Sequence, residues 1–539
     1  MLTTAKSTRS FSSVKTFATI CCCAVALAFS SCEKKYQLSD DRGKAEHVVL
    51  MVWDGMRPDF VTEEYTPTLW KLSRQGVTFA NHHPGYPSTT EVNGTILATG
   101  VFPARSGVIG NREFRPAIDP REPVGTESVR AVGKGDAISG GKYLAVPTVA
   151  ELVQAAGFRT AIAGSKPVAL LHDRSDVRKS AAARQSDVIF HGESRQPEAL
   201  QEIVKAQGEF PAKLSYPNTA QDRWTVQALT EQLWKKGVPK FSVLWMSDPD
   251  YSQHFSAPGA PEAMAALKSA DEKLAMLLAA LDAKGVREKT DVLVVSDHAF
   301  STISGAVEVP RVLSDAGFRA VRKFISPPQP GDILVVNSGA TLLLYVTDHD
   351  AATIRRLVDF LQTAPFAGVI FTREAMPGTF AFNAVHIDSP AAPDVVVAMR
   401  WADEKNKFGV QGTLLADAGP LFQGHGMHGS LSPFDMRNTL IAAGPDFSPG
   451  MINETPTGNL DVAPTILWIL GVRPTERLDG RVLRETFRGA SAAAEIAPRE
   501  TILEASRDLD GGKWRQHLRQ VQYGGVTYFI EGNGGLTAP

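Results

Sequence analysis

Six apolar residues in a row, Val48-Val49-Leu50-Met51-Val52-Trp53, run directly into Asp54-Gly55. A strand with one face in water alternates apolar and polar residues, whereas an unbroken apolar run needs cover on both faces. The helices of a parallel α/β sheet provide that cover, and such sheets place their sites at the carboxyl ends of strands. Two further runs end the same way. Phe241–Met246 is followed by Asp250 and His254, and Asp291–Ser296 by Asp297-His298.

The stretches between carry helix punctuation. Thr66-Pro67 predicts an N-cap with proline at the first helical position, and Gly76 a stop after Gln75. Thr148–Ala156 predicts a helix stopped by Gly157, before a strand at Phe158–Ala163. Pro261–Lys284 predicts an amphipathic helix with Met264, Leu267, Leu274, Leu277, Leu278 and Leu281 on one stripe. Leu342–Val346 and Val395–Met399 are further strand candidates, and Asp461–Leu470 is a late helix closed by Gly471. This rhythm argues for an α/β fold, with a central, mostly parallel sheet and helices on both faces. Two segments break it: residues 111–143, rich in Gly, Pro and charge, read as a long surface loop, and about 165–235 as a cap insertion. Val521–Ile530, around Gly524-Gly525, reads as a C-terminal hairpin.

With 539 residues the chain can bury a large core. A formal net charge of −2 gives no basic field of the kind nucleic acid selects, so no nucleic-acid partner is expected. The cysteines are Cys21, Cys22, Cys23 and Cys32. Lys6, Arg9 and Lys15 precede an apolar stretch from Thr16 to Phe29, the pattern of an export signal. It is too short for a membrane-spanning helix, which needs about 20 residues. Its end, Leu27-Ala28-Phe29-Ser30-Ser31-Cys32, resembles a bacterial lipobox with cleavage before a lipidated Cys32, although Phe29 departs from the usual small or aliphatic residue; plain secretion is the alternative. The organisation expected is a signal peptide at 1–31, a tether at 32–46, a catalytic domain at 47–480 and a C-terminal extension at 481–539. The protein would be exported to the bacterial cell envelope, facing the periplasm or the exterior, with a lipid on Cys32 as its membrane anchor. No pair of thiols would remain to form a disulfide.

Asp54, Asp250, His254, Asp297, His298 and His428 are the candidate metal ligands. Carboxylate and imidazole together suit Zn²⁺ and similar divalent ions. Asp250 and His254 have a spacing that one helical turn brings together, and His428, with His425, lies in the glycine-rich run 424–430. Ser88, Thr89 and Thr90 precede a plausible helix stopped by Gly100. A hydroxyl at a helix N-terminus is placed where backbone N–H groups favour an alkoxide and a phosphate. Simple N-capping is the other use of such residues, and spacing does not choose among the three.

Taken together, the segments VVLMVWDGMRPDF, YPSTTEVNGTILATGVFPARSGVIGN, SDPDYSQH, VVSDHAF and GMHGSLSPFDMRN resemble the nucleotide pyrophosphatase/phosphodiesterase (type I phosphodiesterase) branch of the alkaline phosphatase superfamily. The resemblance implies an alkaline-phosphatase-like fold and two divalent ions, usually zinc. It makes Thr90 the nucleophile, since the family places it three before an Asn, here Asn93. It gives Asp250, His254 and His428 to one ion, and Asp54, Asp297, His298 and the Thr90 oxygen to the other. Asn93 and the Thr90 N–H would bond a nonbridging phosphate oxygen, and His425 falls outside the ligand set. The implied reaction is hydrolysis of a small-molecule phosphate diester or pyrophosphate through a phosphothreonyl intermediate.

Departures bear on the substrate. Glu91 stands where nucleotide-cleaving relatives carry an aromatic residue, while Trp245 stands where a base-stacking Tyr is found, so one wall of a base slot is expected to persist. Lys166 is the one cation present of a Lys-x-Arg pair by which some monoesterases read a second phosphate charge. Glu91, Trp245 and Lys166 are therefore the candidate substrate-binding residues. A phosphomonoesterase, a phosphonate hydrolase and a non-catalytic zinc-binding lipoprotein are the competing readings. A sulfatase is disfavoured, because no Cys- or Ser-x-Pro-x-Arg signature occurs.

Overall fold

The apolar runs form the centre of a nine-stranded sheet in the computed structural model, which describes residues 42–178, 186–490 and 497–537. The expected signal peptide, Cys32 and most of the tether lie outside the described residues, all of which belong to one compact unit. No helix among the described residues is long and apolar enough to cross a membrane.

The sheet comprises β1 (His47–Trp53), β2 (Val77–Phe79), β3 (Thr160–Gly164), β4 (Ser186–Phe190), β5 (Glu193–Ser194), β6 (Phe241–Met246), β7 (Thr290–Val295), β8 (Leu440–Ala443) and β9 (Met451–Asn453). Their spatial order is β9-β2-β8-β7-β1-β6-β3-β4-β5. From β7 to β4 every pairing is parallel, and antiparallel β8 turns the pattern on one side.

Strand parity explains why the runs are apolar throughout. Val48, Leu50 and Val52 join one hydrophobic cluster with Val243, Trp245, Leu293 and Val295. Val49, Met51 and Trp53 join a second with Leu244, Met246, Val292 and Val294. Successive side chains point to opposite faces, so a strand between two cores has no polar position.

Five helices matter for the site: α1 (Pro67–Gln75), α2 (Thr90–Thr99), α3 (Asp250–Phe255), α4 (Pro261–Ala283) and α5 (Asn459–Leu470). α4 buries Leu267, Leu274, Leu277 and Leu281 in the second cluster beside Leu69 and Leu72 of α1. Each such leucine contributes roughly 1.5–3 kcal/mol of transfer free energy. On the other face, Leu97 of α2 packs with Val462 and Ile466 of α5. α1 spans the expected residues, but Thr66 does not cap it. The Asp271 carboxylate of α4 accepts the Thr68 and Leu69 amides instead, at 2.9 and 2.8 Å. A cap supplied from another helix leaves no local sequence signal.

The strands expected at 342–346 and 395–399 exist, but they pair with each other in a separate six-stranded sheet. Periodicity reports burial and does not assign a strand to a sheet. The C-terminal hairpin is longer than expected, Gly512–Tyr523 against Val526–Thr537, with Arg499–Leu509 as a third strand. Gly524 and Gly525 both have positive φ, 59° and 82°, as a two-residue hairpin turn with right-handed twist requires.

Residues 111–143 are not all loop. Val129–Ser139 is a helix, capped by the Ser128 hydroxyl and ended by left-handed Gly140. Its glycines at 133 and 135 hid it from a propensity reading. The stretch 165–235, read from sequence as a cap insertion, supplies β4 and β5 and buries Trp224, Leu229 and Trp234 in the core; Lys166, near its start, reaches the site.

Candidate active site

Three neighbouring parallel strands converge on one spot. Asp54 follows β1, Asp297 and His298 follow β7, and Asp250 and His254 lie one turn apart on α3, just after β6. His428 arrives from across the cleft, next to a short strand, Gly426–Met427, paired with Ser301–Val307. Gly55 lets these elements close up. Its φ is 73°, its amide donates to Asp297 Oδ1 at 3.0 Å, and a Cβ there would lie 2.5 Å from Phe300.

The histidines share one arrangement. His254, His298 and His428 each direct Nδ1 at a backbone carbonyl, of Gly426, Ala299 and Ser88, at 3.0, 3.1 and 2.9 Å. A carbonyl only accepts, so Nδ1 carries the proton and Nε2 turns its lone pair into the site. The Nε2 atoms of His254 and His428 face each other at 3.2 Å. His254 Nε2 is also 3.2 Å from Asp250 Oδ1, and His298 Nε2 is 3.2 Å from Asp297 Oδ2 and 3.5 Å from Asp54 Oδ1. Asp54 Oδ1, Asp250 Oδ1 and Asp297 Oδ2 are buried with no hydrogen-bond partner among the described residues. Lone pairs and orphaned carboxylate oxygens brought together this closely are a donor set suited to a cation. Two overlapping groupings have ligand atoms within 4.8 Å of one another, Asp54 with Asp297 and His298, and Asp250 with His428 and His298; the single Nε2 lone pair of His298 can serve only one of them. His254 adds its nitrogen to the Asp250 group.

The electrostatics agree. Burial lowers the His298 imidazole to about 3 and drives that of His428 well below its usual value, so both are neutral, the ligating form. Burial and the neighbouring Asp297 raise the Asp54 carboxyl; burial raises that of Asp297 to about 7, against the pull of Lys166. Burial would raise Asp250 too, but the Lys166 ammonium overrides it and holds the group well below the carboxylate range.

Among the three hydroxyls, Ser88 Oγ donates to the Ser430 carbonyl at 2.8 Å, and Thr89 Oγ1 is buried without a partner among the described residues. Thr90 Oγ1 is the one beside the ligands, 3.2 Å from His298 Nε2 in the first turn of α2.

Asn93 is bonded into the turn that precedes α2. Its Nδ2 donates to the Gly85, Pro87 and Thr89 carbonyls, and its Oδ1 accepts the Gly85 amide at 2.7 Å. With every donor spent on the turn that delivers Thr90, it has none for a phosphate oxygen. Asn111 Oδ1 accepts the Glu91 amide at 3.2 Å, which fixes its carboxamide beside the first turn of α2. Asn111 closes the segment GVIGN, yet nothing in its spacing marks it.

Trp245 is also elsewhere than expected. It is fully buried in the first cluster, and its Nε1 donates to Asp54 Oδ2 at 2.8 Å. A side chain on a central strand faces a core, so Trp245 steadies a ligand and offers no open wall. Lys166 Nζ lies 2.9 Å from both Asp54 Oδ2 and Asp250 Oδ2. Glu91 is buried, and burial together with Glu127 raises its carboxyl; Glu127, unmarked in the sequence, shares that environment. His425 donates to the His254 carbonyl at 2.9 Å and supports the ligand helix from outside. A surface cavity of about 970 Å³ is lined by Lys44, Lys71, Arg287 and Arg488 near the amino ends of β1 and β7, the end of the sheet without these groups.

Similarity to known proteins fits this geometry. The family model "Type I phosphodiesterase / nucleotide pyrophosphatase" matches residues 48–429. An uncharacterised pyrophosphatase/phosphodiesterase of Schizosaccharomyces pombe is 32% identical over 69 residues, 13% of this chain and 14% of that protein. Ectonucleotide pyrophosphatase/phosphodiesterase family member 1 of Rattus norvegicus is 23% identical over 255 residues, 46% of this chain and 23% of that one. The chain thus spans under a quarter of the length of these curated relatives. Murine ectonucleotide pyrophosphatase/phosphodiesterase 5, solved as an inactive variant in complex with AMP, superposes with a TM-score of 0.59 at 15% identity, covering 82% of this chain and 100% of that one. The human counterpart gives 0.58 with the same identity and coverage. The fold is that of these α/β proteins, and the chain belongs to the type I phosphodiesterase/nucleotide pyrophosphatase family.

Proposed function

We propose that the protein hydrolyses phosphate diesters or pyrophosphates of small molecules at a pair of divalent ions, zinc foremost, through a phosphothreonyl intermediate. The observation that carries this is the cage of opposed Nε2 lone pairs and orphaned carboxylate oxygens with Thr90 Oγ1 at its edge. Asp250, His254 and His428 would hold one ion, and Asp54, Asp297 and His298, with the Thr90 oxygen, the other. When bound, such ions supply Lewis acidity, favouring an ionised hydroxyl and offsetting charge on the departing oxygen.

Thr90 Oγ1 attacks phosphorus, its proton passes to solvent, and the bond to the leaving oxygen breaks, that oxygen keeping the electron pair, as the phosphothreonine forms. Water then attacks the phosphorus and releases Thr90. Asn111 Nδ2 and the amides of the first turn of α2 donate to a nonbridging oxygen. Glu91 and Glu127 offer no positive charge to a leaving group rich in phosphate, and Lys166, with both carboxylates to serve, is poorly placed to read a second phosphate charge. These points support a diester over a monoester.

Zinc-loaded protein is expected to prefer bis-p-nitrophenyl phosphate to p-nitrophenyl phosphate, with Thr90→Ala inactive on both. A preference for the monoester would overturn the reading. For the cell we propose export and a lipid on Cys32; labelling by a radioactive fatty acid that persists in Cys32→Ala would refute the anchor.

A further inference from the structure

Lys166 reaches the ligands from a rigid base. It follows β3, whose neighbour in the sheet is β6, and the preceding Ser165 amide donates to the Trp245 carbonyl at 3.0 Å. The residue is 5% exposed, and the Tyr251 ring centre lies 5.0 Å from Nζ. Its two partners are not the orphaned oxygens. Nζ takes Asp54 Oδ2 and Asp250 Oδ2, each at 2.9 Å. The opposite oxygens point at imidazoles: Asp54 Oδ1 at His298, 3.5 Å away, and Asp250 Oδ1 at His254 and His428, 3.2 and 3.6 Å away. One ammonium thus braces a carboxylate from each half of the site by its back.

We propose that Lys166 is a positioning residue that tunes both ion sites at once, weakening their hold on metal while raising the electrophilicity of what they hold. It rests on the two-ion reading above. A cation bonded to the far oxygen of a ligating carboxylate withdraws electron density from the near one, and adds a like charge close to the ions. Both effects oppose metal binding, and by reciprocity metal binding opposes the lysine contact. Less charge donated by the ligands leaves more to act on the substrate. The charges also balance. Three carboxylates against two divalent ions leave one net positive charge, and Lys166 adds a second. An ionised Thr90 and the single charge of a phosphodiester neutralise the two.

The test compares wild type, Lys166→Met and Lys166→Arg as full-length metal-free proteins, titrated with zinc alone against a chromophoric chelator. Lys166→Met is expected to bind zinc at least tenfold more tightly, and Lys166→Arg to stay near wild type. On bis-p-nitrophenyl phosphate, kcat for Lys166→Met is expected to fall about a hundredfold, the upper range for loss of a group supporting metal ligands. A merely structural role would weaken binding and catalysis together. Should Lys166→Met not fold, Lys166→Gln, which keeps a donor without charge, carries the same expectation. Unchanged or weaker zinc binding by a folded uncharged variant overturns the proposal. The binding readout is independent of turnover, so a wild type that binds zinc but cleaves no diester counts against the functional reading alone.

Discussion

Asp461 and the three site aspartates are all fully buried, but the protein treats them in opposite ways. Asp461, in the first turn of α5, accepts from the Arg481 and Gly458 amides and from the Tyr528 hydroxyl, at 2.8, 2.9 and 2.8 Å. Tyr528 belongs to the C-terminal sheet, so this carboxylate ties that sheet to the core. Asp54, Asp250 and Asp297 each keep one oxygen with no partner among the described residues. A satisfied carboxylate is a structural joint. Orphaned oxygens cost folding free energy, and they are found here at the carboxyl ends of three parallel strands.

The contrast breaks if the site groups prove inert. Thr90→Ala is expected to lower kcat on a diester by 10³-fold or more, on the order of 4 kcal/mol, without changing zinc stoichiometry; retained turnover would remove Thr90 from the chemistry. Asp461→Ala should do the reverse, lowering stability by about 2–4 kcal/mol because its donors are left buried, with zinc content unchanged in the folded fraction. Urea melts with metal analysis would separate the two.

Asn111→Ala sharpens the picture within the site. A 10–100-fold loss in kcat/KM is expected with zinc affinity intact, whereas Asn93→Ala should chiefly lower the melting temperature. An Asn93→Ala protein of normal stability but poor kcat would restore Asn93 to the substrate. The smallest effect is on pH dependence. Burial raises the Asp461 carboxyl to about 6 from 3.8, so the folded state holds a proton that the unfolded state has released. Its contribution is therefore fully present below about pH 4 and lost as pH rises through 6, by roughly 1–3 kcal/mol. Stability curves of wild type and Asp461→Asn across that window should differ in slope, and parallel curves would exclude the linkage.

Much of this was legible in the chain because the signals are local. The unbroken run before Asp54 fixed β1, and the same logic gave β6 and β7 and so brought five of the six metal-ligand candidates to one end of a sheet. The glycine-rich loop marked His425 and His428 alike, and only the family resemblance chose His428 between them. Signals carried by distant partners were invisible. Asn93 and Asn111 both lie near Thr90, and only the carbonyls of Gly85, Pro87 and Thr89 reveal which one is spent. Trp245 reads as an aromatic wall until the parity of β6 turns it into the core. The capping of α1 by Asp271 crosses about two hundred residues, and Glu127 meets Glu91 only after the rest of α2 and the chain beyond it have passed.

One loop carries two duties. His428 offers Nε2 to the site while its Nδ1 holds the Ser88 carbonyl, and the Ser430 carbonyl two residues later receives the Ser88 hydroxyl. The ligand and the clasp on the nucleophile turn are therefore one part. An engineer who grafts a foreign 424–430 segment to change metal preference would also retune where Thr90 sits. Metal choice and nucleophile alignment are expected to drift together under laboratory selection, and a library that varies this loop alone should rarely separate them.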